Sequence, residues 1–212
     1  RLTGVEWTAG SGCNIVNGYA ASVLGQGFTA LVTSPEASLS DIAHIVQHTG
    51  KKVMTLVQGQ NEVMITEDPL FELFKKAVPG DGGDRLHGIR DSRGKLFTLR
   101  NDPAGRVVIR NAVETCLVDY LPNLIGAGVS GLLIDARGRT SRYTQAATEL
   151  YRDALRCTAF GPPQSSRALQ ILRADTPLSC ETFFRRSGIH VGSDPFMSIL
   201  YIRNRSSSVR EC

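Results

Sequence analysis

No stretch of the 212 residues approaches the roughly 18–20 consecutive apolar side chains that a membrane-spanning helix needs, so no membrane partner is expected. The opening residues, RLTGVEWTAG, lack the apolar core of a signal peptide. Arg1 stands where an initiator Met would, which reads as a piece of a longer chain. Cysteine is sparse: Cys13, Cys116, Cys157, Cys180 and Cys212 are scattered, odd in number and without a CxxC pair. That argues against a disulfide framework and for reduced thiols in the cytoplasm. Charge of one sign is nearly balanced, 24 Lys and Arg against 20 Asp and Glu. The net +4 is too slight to argue for nucleic acid by itself, although arginines crowd the second half and keep an anionic partner open. The hydrolase motifs HExxH and GxSxG are missing, and no Cys and His lie at a spacing that would bring them together.

What is present is the composition of a globular chain, 42% hydrophobic and 21% charged, long enough to bury a substantial core. Its organising stretch is Gly131–Tyr143, GLLIDARGRTSRY. A short apolar run bounded by Gly reads as a strand buried on both faces. After it, Thr140 or Ser141 can cap a helix to about Cys157, with Tyr143, Ala146, Ala147, Leu150, Tyr151 and Ala154 at three- and four-residue spacing. Asp135, Arg137 and Arg139 then sit where a parallel strand gives way to its helix, the end at which α/β folds bind ligands. Three charges there point to a polar or anionic substrate; a surface salt-bridge cluster is the plainer alternative.

Upstream, strands are expected at Val5–Ala9, Thr29–Thr33 and Lys52–Gln58, with helices over Gly18–Leu24 and from Ser38 or Ser40 through His48. Three strands alternating with two helices imply right-handed βαβ units and a parallel sheet or barrel. His44 and His48 lie one helical turn apart, a spacing that suits a metal ion as well as two partly exposed helix residues. The rhythm then breaks. Glu62–Thr66 reads as a strand, Phe71–Ala77 as a helical turn, and His87–Arg90 with Lys95–Leu99 as a hairpin around Asp91-Ser92-Arg93-Gly94. Arg106–Arg110 adds a third alternating run. Pro79–Asp84 is a Gly-rich loop, able to cradle an anion or simply to turn at the surface. The spacing predicts a helix from Asn111 to about Ile125, with Glu114 at its third position as a capping partner. Gly161-Pro162-Pro163 marks a boundary, and the closing IRNRSSSVREC is basic, Ser-rich and expected to be disordered.

The segment from about Cys13 to Arg156 resembles the collagenase-like peptidase family U32. The resemblance rests on CNIVN, GFTALVTSPEASLSDI, VQGQNEVMITED, HGIRDSRGKLFTLRND and, most specifically, IRNAVETCLVDYLPNLIGAGVSGLLIDARGRTSRY followed by YRDAL. It implies an α/β fold: a partial TIM-barrel-like (β/α) domain over 1–158 with an antiparallel β insertion at about 62–110, then a poorly defined tail or accessory segment over 159–212. It also implies the second half of the family's barrel, so that a missing N-terminal portion or a second copy would be a partner. Proteolysis is known for few members of that family. Better-understood relatives are oxygen-independent hydroxylation factors acting on tRNA, rRNA or ubiquinone precursors, with a four-iron cluster held by four cysteines. In this chain the family's cluster cysteines would fall near Met64, near Asp68 to Phe71, and within Pro79–Arg90, none of which is Cys. Only Cys116 matches, so no cluster or other cofactor is expected; a small core residue is the plainer reading of Cys116.

The residues expected to carry function lie on the loops at the barrel end. Asp135 and Glu62 are acid/base candidates, since carboxylates at a water-excluded mouth can act on protons. Arg137 and Arg139 suit carboxylate or phosphate through the guanidinium fork. Gln58, Asn14 and Tyr143 would orient substrate by hydrogen bonds. Each has a structural alternative: Asp135 capping the next helix, Glu62 paired with an arginine, Tyr143 in the core. Three readings follow: a U32-type peptidase or other hydrolase acting on a peptide or small anion, a cluster-free relative of the RNA or ubiquinone-precursor hydroxylation factors, and a non-catalytic scaffold.

Overall fold

The computed structural model describes residues 4–77, 87–156, 172, 178–179 and 198–201. The chain divides into two compact units, residues 1–59 with 113–190 and residues 60–112 with 191–212. Among the described residues no helix is long and apolar enough to cross a membrane.

The first unit is built on parallel strands that follow one another in chain order, β1 (Thr8–Ala9), β2 (Ala30–Val32), β3 (Lys52–Gly59) and β9 (Gly131–Asp135). Between β1 and β2 runs α1 (Gly18–Leu24), between β2 and β3 runs α2 (Leu39–Thr49), and α5 (Ser141–Arg156) follows β9. Neighbours in sequence that are neighbours in the sheet describe a singly wound βα arrangement, here an open, partial barrel. Local signals explain the helix starts. The Asn17 side chain accepts from Ala20 N at 2.8 Å. Ser38 and Asp41 form a reciprocal capping box for α2, and Gly50 closes that helix in the left-handed region at φ 59°. Thr140 Oγ1 accepts from Tyr143 N at 3.2 Å at the start of α5.

Two expectations give way in this unit. The helix expected from Asn111 to Ile125 is instead a strand, β8 (Glu114–Cys116), a single 3-10 turn (Val118–Tyr120) and a short α4 (Leu121–Gly126). The reason is Pro122, which has no N–H to give an interior turn but fits the first turn of a helix. Val113 and Thr115, both β-branched, favour the extended chain before it. β8 pairs antiparallel with the end of β3, Gln58 opposite Cys116, and parallel with β10 (Leu178–Ser179). The second correction concerns β9, which is half-buried along its whole length rather than enclosed on both faces. Leu132 and Ile134 pack toward the main core, but among the described residues β3 is the strand's only sheet partner.

That core gathers Ile42, Val57, Leu121, Leu124, Tyr143, Leu150 and Tyr151; a smaller cluster of Ile15, Leu31, Ile45 and Val53 sits under α1 and α2. Both are joined by β3, whose residues from Thr55 to Gly59 are all buried.

The second unit is an antiparallel sheet in the order β11 (Ser198–Tyr201), β5 (His87–Arg90), β6 (Leu96–Asn101), β7 (Val107–Arg110) and β4 (Glu62–Thr66), with α3 (Leu70–Ala77). Its turns are made by aspartates: Asp91 Oδ1 accepts from Arg93 N and Lys95 N, and Asp102 Oδ1 from Ala104 N and Arg106 N. Ile89, Leu99, Val107 and Ile109 form its core. The loop Pro79–Asp84 and the segment IRNRSSSVREC lie outside the described residues, as does most of the tail expected over 159–212.

Candidate functional site

The chemistry-bearing side chains of the first unit collect where β3 ends. Between Leu56 and Gln58 the pairing with β9 slips by one residue, a bulge that redirects the strand just before its last two positions. Gln58 is fully buried there. Its Nε2 donates to Glu114 Oε1 at 2.6 Å and to the Tyr143 hydroxyl at 3.1 Å. Glu114 is 0% exposed, a carboxylate wholly inside the protein. Its other oxygen, Oε2, receives Arg139 NH2 at 2.5 Å, and the Arg139 guanidinium stands 5.0 Å from the Tyr143 ring centroid. A buried carboxylate survives when its charge is paired and its oxygens are bonded, and Glu114 has both.

Tyr151 supports this network from below. Its hydroxyl donates to Val57 O at 2.6 Å, accepts from Leu117 N at 3.1 Å, and lies 3.2 Å from Gln58 Oε1. Burial drives its phenol well above the ordinary value of 10. One hydroxyl thus adds a tie between β3 and the segment after β8.

Across the end of β3, Gly59 stands opposite Thr115 of β8 and opposite Asp135 of β9. Its φ of +147° favours glycine, and a Cβ there would lie 2.8 Å from Asp135 Cβ and 2.9 Å from Asp135 O. Asp135 is gripped by Arg137: NH2 donates to Oδ2 at 2.7 Å, Nε to Oδ1 at 2.9 Å, and the Arg137 backbone N to Oδ1 at 3.0 Å. Asp135 is 13% exposed and Arg137 66%, so the carboxylate is sheltered and the guanidinium reaches solvent. Nearby, Thr33 Oγ1 donates to Thr55 Oγ1 at 2.9 Å, and a cavity of about 10 Å³, room for one water, is lined in part by Ser34, Thr55, Thr115 and Leu117.

The structure therefore brings together Gln58, Asp135, Arg137, Arg139 and Tyr143 of the residues expected from sequence. Asn14 is exposed, in the left-handed region at φ 48°, at the end of the 3-10 turn after β1. Glu62 belongs to the second unit, where it lies 3.6 Å from Arg110 NH2. Glu114 and Tyr151 are the residues that sequence reading missed in a chemical role. Pro122 was the signal for Glu114, since it forbids the long helix that made Glu114 look like a cap. For Tyr151 the hydroxyl gave no signal separable from its ring, which belongs to the apolar face of α5.

Cys116 is partly buried, and burial pushes its thiol up from the usual range. A cluster ligand must be a thiolate, and four are needed. Among the described residues the cysteines are Cys116 and the exposed Cys13, and no group of three or more His, Cys, Asp and Glu could hold a metal ion. Cys13 and Cys116 are two thiols where such a cluster takes four thiolates; Cys157, Cys180 and Cys212 lie outside the described residues.

The family model for peptidase family U32 matches residues 2–186. No curated protein and no solved structure matches the chain. With a match over most of its length, the chain belongs to peptidase family U32.

Proposed function

We propose that this chain is a U32-type hydrolase acting on a peptide or small anionic substrate, with its site at the carboxyl ends of β3 and β9. The observation that carries the reading is the pair of carboxylate–arginine contacts flanking the end of β3, Asp135–Arg137 and Glu114–Arg139. In this reading the exposed Arg137 passes its fork from Asp135 to a carboxylate of the incoming substrate. Asp135, so uncovered, takes a proton from a water molecule as that water attacks the scissile carbonyl carbon. The same proton then goes to the leaving amine, so the carboxylate is restored and no redox partner is consumed. Arg139, held by the buried Glu114, faces the charge that develops on the carbonyl oxygen. Gln58 and Tyr143 act through Glu114 as positioning residues, and Asn14 contributes a hydrogen bond from the β1 side. The chain works in the cytoplasm without an iron–sulfur cluster.

The test is digestion of a quenched-fluorescent peptide library by the purified chain and by Asp135→Asn. We expect cleavage by the former and a loss of about 100-fold or more in the latter, the scale of one general base. Cleavage that persists in Asp135→Asn overturns the assignment of the base, and absence of cleavage by the unsubstituted protein overturns the hydrolase reading. A second reading, a cluster-free relative of the hydroxylation factors, is favoured by the two guanidinium groups, which suit RNA phosphates as well as carboxylates. An altered tRNA or rRNA hydroxylation profile in a deletion strain would bring that reading forward.

A further inference from the structure

The sheet of the first unit is open at two ends. Among the described residues β9 has only β3 as a sheet partner, and β1 at the far end has only β2. A strand edge left this way carries N–H and C=O groups ready to pair with another chain. The large apolar side chains exposed in this unit collect at the same two ends. Trp7 stands beside β1, and Tyr19, Val23 and Leu24 lie on α1, whose sequence GYAASVL carries no charge. Ile125 and Leu155 belong to α4 and α5, the helices before and after β9. From Thr29 to Gly59, the stretch with β2, α2 and β3, no large apolar side chain is exposed. Apolar surface confined to the two ends of a sheet and absent from its middle marks those ends as contact surfaces.

We propose that two copies of this chain close on one another, β9 of each beside β1 of the other, about a two-fold axis parallel to the strands. β1, β2, β3 and β9 all run the same way, so β1 of a second copy can follow β9 as β2 follows β1. A head-to-tail contact of this kind grows without limit unless the ring shuts. With four such strands per chain it shuts at two copies, because a parallel βα sheet closes at eight strands around an interior that side chains fill. The uncharged α1 of one copy then flanks α5 of the other, and Trp7 and Leu155 come under cover. One consequence rests on the hydrolase reading. Within one chain β2 and β3 separate Asn14, which follows β1, from Asp135 at the end of β9. In the pair, Asn14 of the partner subunit stands at the strand next to Asp135, so each site is completed by the other copy.

The test is light scattering of the full chain over a dilution series, read together with the emission of Trp7, its one tryptophan. A mass of two chains is expected at the concentrated end, with Trp7 emission moving to longer wavelength as dilution separates the copies. Val23→Glu and Leu155→Glu change exposed side chains, one at each end of the sheet. Each should weaken association by at least about 100-fold, tenfold at each of the two seams where an unpaired charge is covered. An equal mixture of the two variants keeps one seam intact and should associate more tightly than either alone. Val63→Glu, at an exposed apolar residue of the second unit, should leave association unchanged. A single-chain mass at every concentration overturns the proposal, as does a mass that climbs past two chains. So does a mixture no tighter than its components, or a loss with Val63→Glu as large as with Val23→Glu. If a variant loses its helical circular dichroism, the unsubstituted chain decides: a mass that falls on dilution with no change in Trp7 emission places the contact elsewhere and overturns the pairing. None of these outcomes needs peptide cleavage, so a chain that pairs as described and cleaves nothing overturns the hydrolase reading alone.

Discussion

Replacing Arg139 with Met removes the guanidinium that bonds Glu114 and keeps most of the apolar stem. Glu114 is then a carboxylate with no exposure that keeps the Gln58 amide at 2.6 Å but has lost this guanidinium. Breaking one side of a buried ion pair costs about 3–5 kcal/mol, because the surviving charge keeps its desolvation penalty and loses its compensation. Arg139 is itself 16% exposed and the Gln58 bond remains, so the lower end, about 3 kcal/mol, is the reasoned value. With a urea slope of about 2 kcal/mol/M, that is a fall of roughly 1.5 M in the midpoint. Trp7, the one tryptophan of the chain, belongs to the same unit and is a local fluorescence probe of it. The decisive comparison is the double variant Glu114→Gln/Arg139→Met, in which charge and counter-charge go together. It should recover at least about 1.5 kcal/mol relative to Arg139→Met alone, a coupling of the size that contacting residues show. A single variant within about 0.5 kcal/mol of the parent, or a double variant no more stable than the single, would refute the claim that Glu114 is a paired buried charge.

Tyr151→Phe should cost about 1 kcal/mol in the same unfolding assay, since it removes a buried hydroxyl from the Val57 carbonyl and Leu117 N–H while these keep their own bond at 2.9 Å. Because the Tyr151 phenol is raised in the folded state, the unfolded chain binds fewer protons above pH 10, and stability falls as pH rises from there toward the folded value. Tyr151→Phe should flatten that alkaline loss in a pH series of melts, and an unchanged slope would count against it. Gly59→Ala forces a side chain into Asp135 at a backbone angle that favours glycine, and a loss of more than about 1 kcal/mol is expected in thermal melts. Iodoacetamide followed by peptide mapping should label the exposed Cys13 before Cys116, whose order reverses only if the fold around Tyr151 is wrong.

Strong local punctuation made much of the fold legible. Ser38 and Gly50 announce the ends of α2, and the apolar runs at Lys52 and Gly131 mark the two strands on which the site stands. Asp91 made one turn of the second unit readable in the same way. What failed was the stretch from Asn111 to Ile125, where apolar residues at helical spacing outweighed Pro122. Register across β3 then turned Glu114 from a helix cap into the buried centre of the network, a pairing over 25 residues to Arg139 and 56 to Gln58 that no local pattern carries. Asp135 and the arginines were readable because they follow a strand; which arginine takes which carboxylate depends on the path of the chain after Asp135.

We propose hydrolysis by carboxylate and arginine groups in a chain without a redox cluster, and the measurement that puts this at risk is iron and acid-labile sulfide in protein purified without oxygen. Neither should rise above background. Four irons and four sulfides per chain would contradict it, by showing that cysteines other than Cys116 complete a ligand set and that the reaction runs on electrons.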